Sequence, residues 1–373
     1  MKILFVATVV QNHIIEFHVP YLKMLKEEMG WNTAVAARND YALPTDCTIP
    51  YCDTYYDIPF ERNPFKIGNI KAFKQLKRVI DEGNYDIIHC HTPVGAMLTR
   101  LAALDARKRG TKVFYTAHGF HFYKGAPLIN WILYYWAEKL LAMMTDVLIT
   151  ITHEDYKRAK GFKAGKVEYV PGVGIDMNYF KKGSQRQSTA LRAELGIPND
   201  ATVLLSVGEV NANKNHKVVI EALPEFSNTW YVICGRGPLI EKYRILSQSL
   251  GVGDRVIMTG YRTNVEDYYN MADIFVFPSI REGLPVALME AMAMELVCVA
   301  AKNRGTDDLL GDSQLRFEPT SVTALKDKLN KVILGGFSTA SEIERNKERL
   351  QAFDIRNTLQ AIKSLYLREA NNH

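Results

Sequence analysis

Hydrophobic residues along this chain come in short unbroken runs rather than in strict alternation. In the first half such runs lie at 2–8, 33–38, 86–91, 112–118, 146–152 and 166–172. Most are rich in β-branched residues, the pattern of a parallel strand buried on both faces. Helical segments are expected between them at about 14–29, 66–82, 94–109, 127–144 and 153–162. Alternation of this kind predicts a doubly wound α/β sheet. The pattern lapses over 171–188, a stretch of glycine, lysine and polar residues that reads as an interdomain linker. It then restarts, with strands expected at 202–209, 229–235, 255–261, 273–279 and 296–301 and helices at about 215–224, 238–250, 264–271, 285–294, 322–333 and 340–370.

Two similar α/β domains in series are therefore expected: 1–175, 176–355, and a C-terminal helix over 356–373 that returns to the N-terminal domain. The length of 373 residues suits two domains. Ligands of such sheets sit at the carboxyl ends of the strands, and a cleft between two facing domains is the natural place for one.

Composition changes this picture little. The formal charge is +5, and it lies in residues 1–175, which hold 22 Lys and Arg against 17 Asp and Glu. A mildly basic first half suits an anionic partner such as a membrane surface, while no basic tract interleaved with aromatics points to nucleic acid. Cys47, Cys52, Cys90, Cys234 and Cys298 form no metal-ligand spacing and no disulfide framework, which favours a reducing, cytoplasmic compartment. The run from Lys2 to Val10 meets Asn12, His13, Glu16 and His18 at once, unlike a secretory signal, and no stretch has the ~18 apolar residues of a spanning helix.

Candidate chemistry falls just after the strands. The stretch from Ser279 to Glu290 closes one strand and opens a helix. Pro285 suits a helix's first turn, and Gly283 permits close backbone approach. With Leu284 these residues form a helix start whose amides can meet a phosphate or a sugar hydroxyl. Glu282 stands in the loop and Glu290 more than a turn into the helix, so the two carboxylates can meet separate parts of one ligand. Glu290 is also the sole charge in an apolar helix and needs a partner.

The motif EGLPVALME resembles the signature of the retaining glycosyltransferases of family 4, which have the GT-B fold of two Rossmann-like domains facing each other across a cleft. The resemblance implies that Glu282 contacts the donor sugar and Glu290 the ribose of a nucleotide. Residues 206–217 resemble the same family's strand, glycine turn and lysine element, with Lys214 as the diphosphate grip. Many members carry Arg directly after the glycine, where this chain has Glu209, so one cation is missing; Arg236 or Arg304 can replace it, or Glu209 can orient Lys214. Gly235, Arg236 and Gly237 form a tight turn at a strand end, and Tyr261 and Arg262 follow the next strand, where the family lines its nucleobase pocket.

In the first half, His118 stands beside Gly119 just past a strand and resembles the family's active-site histidine, which contacts the donor sugar. His13, His18, His91 and His121 are candidate acceptor contacts. His89 and His91 share a strand face, but the sequence places no third ligand beside them, so zinc is not expected. The first loop, from Ala7 to His13, lacks the glycine-rich turn of many relatives. In the stretch from Phe65 to Glu82, Ile67, Ile70, Phe73, Leu76 and Ile80 have helical spacing and are expected to face the core, with Lys66, Lys71, Lys74, Lys77 and Arg78 on the other side.

The expected function is transfer of a sugar from a nucleoside-diphosphate sugar, UDP favoured, to a hydroxyl acceptor with retention of configuration. No Asp-x-Asp triplet is present, and no cofactor or metal is expected. The resemblance to capsule and exopolysaccharide enzymes implies a polyprenyl-diphosphate-linked acceptor and a peripheral position at the inner face of the cell membrane. The competing readings are a sugar-nucleotide epimerase or phosphorylase of the same fold, and a non-catalytic partner subunit.

Overall fold

The unbroken apolar runs form parallel strands in two separate sheets. The computed structural model describes residues 1–370, so the last three positions of the helix expected over 356–373 lie outside the described residues. Two compact units divide the chain: one from Met1 to Val173 together with the chain from Arg356 onward, the other Gly174–Ile355.

The sheet of the first unit has seven strands: β1 (Lys2–Val9), β2 (Asn32–Arg38), β3 (Thr54–Asp57), β4 (Ile87–Cys90), β5 (Lys112–Ala117), β6 (Val147–Thr150) and β7 (Lys166–Tyr169). Their order is β3-β2-β1-β4-β5-β6-β7, with every pairing parallel. Each central strand feeds two cores. On β1, Leu4 and Val6 pack on one face with Ala34 and Ile88, while Ile3, Phe5 and Ala7 pack on the other with Val35 and Ile87. Burying each large side chain contributes about 1.5–3 kcal/mol, which is why these strands read as continuous apolar runs. The C-terminal helix Ile355–Ala370 lays Ile362, Leu365 and Tyr366 on the second of these cores, and Lys166 pairs with Glu369.

The second unit has β8 (Thr202–Val207), β9 (Thr229–Cys234), β10 (Val256–Gly260), β11 (Ile274–Phe277), β12 (Val297–Ala301) and β13 (Arg316–Phe317), in the order β10-β9-β8-β11-β12-β13. All five of its pairings are parallel.

Several elements differ from the sequence expectation. The edge strands β3 and β13 are short and only partly apolar, too weak a pattern to register. A helix Gln185–Glu194 starts inside the stretch read as linker, under a Ser184 capping box. A helix Arg304–Leu310 starts at an Asn303 cap. The helix expected over 340–370 divides into Thr339–Leu350 and Ile355–Ala370. Its backbone opens because Ile175 donates to the Phe353 carbonyl at 2.9 Å and accepts from the Ile355 amide at 3.0 Å. The helix Gly68–Gly83 is turned from its expected face. Leu76 and Ile80 are buried, but Ile67 and Ile70 are exposed. Asn69 takes the inner position, donating to the Asn63 carbonyl at 2.9 Å and accepting from the Glu61 amide at 3.0 Å.

The segment 128–142 is helical with a π-turn at Trp131–Tyr135. Leu128, Ile129, Ile132, Leu133, Trp136 and Leu140 on it are exposed. It is anchored by Glu138, which accepts from the fully buried Arg100 at 2.8 and 3.2 Å, while that guanidinium lies 4.2 Å from the Tyr115 ring. Glu138→Ala leaves the guanidinium buried and unpaired, and is expected to cost about 3–5 kcal/mol of stability, measured by denaturant unfolding.

Candidate functional site

In the second unit the chain runs outward from β8 to β9 and β10, and from β11 to β12 and β13. The loops after β8 and β11 therefore diverge at the switch point of the sheet, where a doubly wound fold opens a crevice. Lys214 stands on the first loop and Glu282 on the second. The Lys214 Nζ donates to Glu282 Oε1 at 2.9 Å, and both side chains are part-buried. The ammonium also lies 5.2 Å from the Phe277 ring. An ammonium has three donors, so this bond leaves two for a ligand. The two loops are tied by backbone as well: the Ile280 amide donates to the Asn213 carbonyl at 2.8 Å, and Asn213 Nδ2 to the Arg281 carbonyl at 2.9 Å.

Glu290 lies on the helix Val286–Ala293, and Pro285 caps that helix instead of entering its first turn. Glu290 Oε2 accepts from the Tyr269 hydroxyl at 2.7 Å, the partner that a carboxylate in an apolar helix requires. Gly283 and Leu284 lie between the two glutamates, and the Gly283 carbonyl packs so closely on the next helix start that a Cβ on Gly305 would sit 1.9 Å from it.

Gly235 and Gly237 meet a packing constraint. A Cβ on Gly235 would fall 1.8 Å from the Gly208 carbonyl, and one on Gly237 2.2 Å from the Val210 carbonyl. The turn after β9 thus lies directly against the loop that carries Lys214. Arg236 between them is exposed and lies 5.2 Å from the ring of Tyr261, itself exposed, while Arg262 lies 5.8 Å from the Tyr268 ring.

Of the three ways to offset the absent cation at Glu209, the structure bears on two. Lys214 pairs with Glu282, whereas Glu209 is exposed on the same loop. Arg304 is buried and donates its Nε to the Glu282 carbonyl at 2.9 Å, so it holds the loop. Sequence reasoning passed over His216, two residues beyond Lys214. Its Nδ1 meets the Tyr231 hydroxyl at 2.9 Å, which donates to Ser206 Oγ at 2.9 Å. Burial lowers its pKa to about 4. Its signal was only a histidine opening an apolar helix.

The first unit has its own switch point between β1 and β4. The stretch after β1, which lacks glycine, is a π-helical turn Val10–Ile15. The Asp40 carboxylate accepts from the Gln11 amide at 2.6 Å and the Asn12 amide at 3.3 Å, so the chain's own anion occupies these donors. Thr92, after β4, holds φ +61° and shares a 2.7 Å hydrogen bond with Thr8, a strained conformation for a β-branched residue at this edge.

Four histidines expected separately come together here. His13 and His18 follow β1, His91 follows β4 and His118 follows β5. His18 Nε2 lies 3.2 Å from His13 Nε2, and His91 Nδ1 lies 3.2 Å from His118 Nε2. The strand spacing of His89 and His91 placed no third ligand, and the fold brings three more imidazoles to His91. Burial holds all four below the usual histidine range, His118 at about 4. His18 and His91 are buried, whereas His118 is part-exposed. His121 lies outside the cluster, 4.8 Å from the Tyr134 ring. With His13 it lines a cavity of about 400 Å³, together with Asn12, Met97, Tyr134 and Leu141.

The chain is similar to known proteins in sequence and in fold. Residues 2–152 match the model described as glycosyl transferase 4-like, and residues 187–349 the one described as glycosyl transferases group 1. EpsD of Bacillus subtilis, described as a glycosyltransferase, is 42% identical over 322 residues, covering 85% of this chain and 82% of that protein. The UDP-Gal:alpha-D-GlcNAc-diphosphoundecaprenol alpha-1,3-galactosyltransferase of Escherichia coli is 26% identical, covering 82% of this chain and 81% of its own. Among solved structures, Anabaena HepE in complex with UDP and glucose aligns with a TM-score of 0.81 at 19% identity, covering 99% of this chain and 100% of that one.

The state of His216 sets a pH dependence. Neutral when folded and titrating near 6.5 when unfolded, it gives the unfolded chain more bound protons as pH falls from about 6.5 towards 4. Stability is therefore lost on acidification through that window, and His216→Gln is expected to flatten the slope of unfolding free energy against pH there.

Proposed function

The chain belongs to the GT-B glycosyltransferases, and from that membership we propose that it moves a sugar from a nucleoside-diphosphate sugar to a hydroxyl of a lipid-diphosphate-linked glycan, with retention of configuration. The observation that carries the donor half of this reading is the Lys214–Glu282 pair at the switch point of the second unit, with Glu290 eight residues further on.

In this reading Lys214 holds the donor diphosphate, using the protons that Glu282 does not take. The Val286 and Ala287 amides, in the first turn of the helix Val286–Ala293 ahead of the Leu288 and Met289 amides that donate to the Pro285 carbonyl, add donors. Glu282 accepts from the transferred sugar and Glu290 from the ribose. Gly235, Arg236 and Gly237, with Tyr261 and Arg262, border the nucleotide. As the bond between the anomeric carbon and the diphosphate oxygen breaks, negative charge builds on the leaving group, and fixed cationic and amide donors stabilise it without a metal ion. The acceptor oxygen bonds to the anomeric carbon from the same face, and its proton passes to the departing phosphate oxygen. His118, part-exposed, keeps the sugar-facing role that the resemblance implies.

Uridine as the base is supported by the UDP named for the Escherichia coli enzyme and for HepE. The acceptor class is supported by the diphosphoundecaprenol in the former's name and by the first unit's surface. Exposed Leu128, Ile129, Ile132, Leu133, Trp136 and Leu140 lie on one segment with Lys139, and Phe65, Ile67 and Ile70 lie among Lys66, Lys71 and Lys74. Apolar side chains beside lysines suit the interface of an anionic bilayer, and among the described residues no helix is long and apolar enough to cross one. The cavity lined by His13 and His121 is the acceptor site in this reading.

Lys214→Ala is expected to weaken UDP binding by about 1.5–3 kcal/mol, the worth of a charged hydrogen bond, as read by calorimetry; unchanged affinity removes Lys214 from the site. Glu290→Gln should weaken binding of free UDP, whereas Glu282→Gln should spare it and lower the transfer rate, and equal effects on UDP undo that division. Transfer should proceed to a polyprenyl-diphosphate-linked sugar in anionic vesicles and not to the same sugar free in solution; the reverse preference refutes the lipid acceptor.

A further inference from the structure

Five histidines of the first unit crowd the carboxyl ends of β1, β4 and β5, and they divide by their partners. His89 uses both ring nitrogens, Nδ1 with the Tyr366 hydroxyl at 2.5 Å and Nε2 with Thr116 Oγ1 at 2.8 Å. The other four meet mainly one another. Among the described residues His18 Nδ1 and His91 Nε2 are buried with no hydrogen-bond partner, although each residue is only 1% exposed. A neutral imidazole carries one N–H and one lone pair. Whichever tautomers are chosen, His18 and His91 each bury an unpaired donor or an unpaired lone pair, on the ring nitrogen opposite the one that faces His13 or His118.

We propose that His13, His18, His91 and His118 form a binding site for a divalent transition-metal ion, with zinc the best fit. One nitrogen from each residue lies within 4.8 Å of those of the others. A tetrahedral zinc site with Zn–N bonds of about 2.0–2.1 Å sets its ligand nitrogens about 3.3–3.4 Å apart. Two of the pairs here already stand at 3.2 Å, and drawing the others in from up to 4.8 Å completes the tetrahedron. Burial keeps the rings neutral, the form that ligates. The cluster as grouped contains no carboxylate, and imidazole sets suit zinc, copper or nickel, whereas magnesium and calcium require oxygen ligands.

The ion would do structural work at this edge. His13 and His18 sit on and just after the π-turn, the stretch without glycine, and the ion fastens it to the ends of β4 and β5. His118 alone of the four is part-exposed, so it is the position through which the ion enters and leaves. The site lies wholly within the first unit; it shares His118 and His13 with the sugar and acceptor contacts proposed above, and a metal titration reads it without sugar transfer.

The test uses the full chain, stripped with a chelator and titrated with zinc or cobalt(II) alone. One ion per chain is expected, with the intense visible bands of tetrahedral cobalt and a melting temperature that rises with free zinc by mass action. His118→Asn and His91→Gln should each weaken binding by more than the roughly 10- to 100-fold that loss of an outer partner costs, and His121→Asn should leave it unchanged. Circular dichroism reports whether each variant is folded, and if His91→Gln is not, the part-exposed His118→Asn and the wild-type cobalt spectrum decide. A wild-type chain with no cobalt bands and no zinc-dependent rise in melting temperature overturns the proposal. So does stoichiometric binding that survives in folded His118→Asn and His91→Gln, which would mark an adventitious surface ion.

Discussion

The candidate donor site depends on a single ion pair that spans the switch point of the second sheet. Parallel pairing sends the loops after β8 and β11 in opposite directions, so nothing in the sheet itself brings them together. Lys214 and Glu282 do so at 2.9 Å, supported by the Asn213 and Ile280 backbone bonds and by Arg304 on the Glu282 carbonyl. A part-buried pair of this kind contributes little net stability, since desolvation offsets the attraction. In the proposed reading its value is preorganisation: the ammonium is positioned before a ligand arrives, so little reorganisation accompanies the charge that develops.

Close backbone packing serves the same end. Gly235 and Gly237 admit the Gly208 and Val210 carbonyls into space that any side chain would fill. His216, Tyr231 and Ser206 pin the loop from beneath through a chain of hydrogen bonds, and Ser206 passes it on to the Val276 carbonyl of β11. The turn after β9, the lysine loop and the glutamate loop are thereby fixed against one another.

The first unit has the same sheet geometry and different chemistry at its edge. Its amides after β1 are taken by Asp40, and its polar side chains there are imidazoles and threonines in place of an ion pair. Lys214 and Glu282 pair at the part-buried edge of the second sheet, whereas burial holds the crowded imidazoles of the first below the usual histidine range. The two units thus carry different polar groups at matching strand ends, an ammonium–carboxylate pair on one and clustered imidazoles on the other.

The architecture and the Glu282 to Glu290 segment were legible in the sequence because their signals are local. An unbroken apolar run reports burial on both faces of a strand, and two glutamates eight positions apart with a proline between them define a loop and the helix it enters. By itself, then, the sequence determined two doubly wound sheets and the residue types at their carboxyl ends. The tertiary structure alone decided that Lys214 faces Glu282 and not Glu209, that Asn69 turns Ile67 and Ile70 outward, that Ile175 divides the helix expected over 340–370, and that His13, His18 and His118 gather around His91. Each of these is a contact between residues distant in the chain or a choice between competing burial partners. Local periodicity carries no record of either, because strand order and packing geometry set which loops meet.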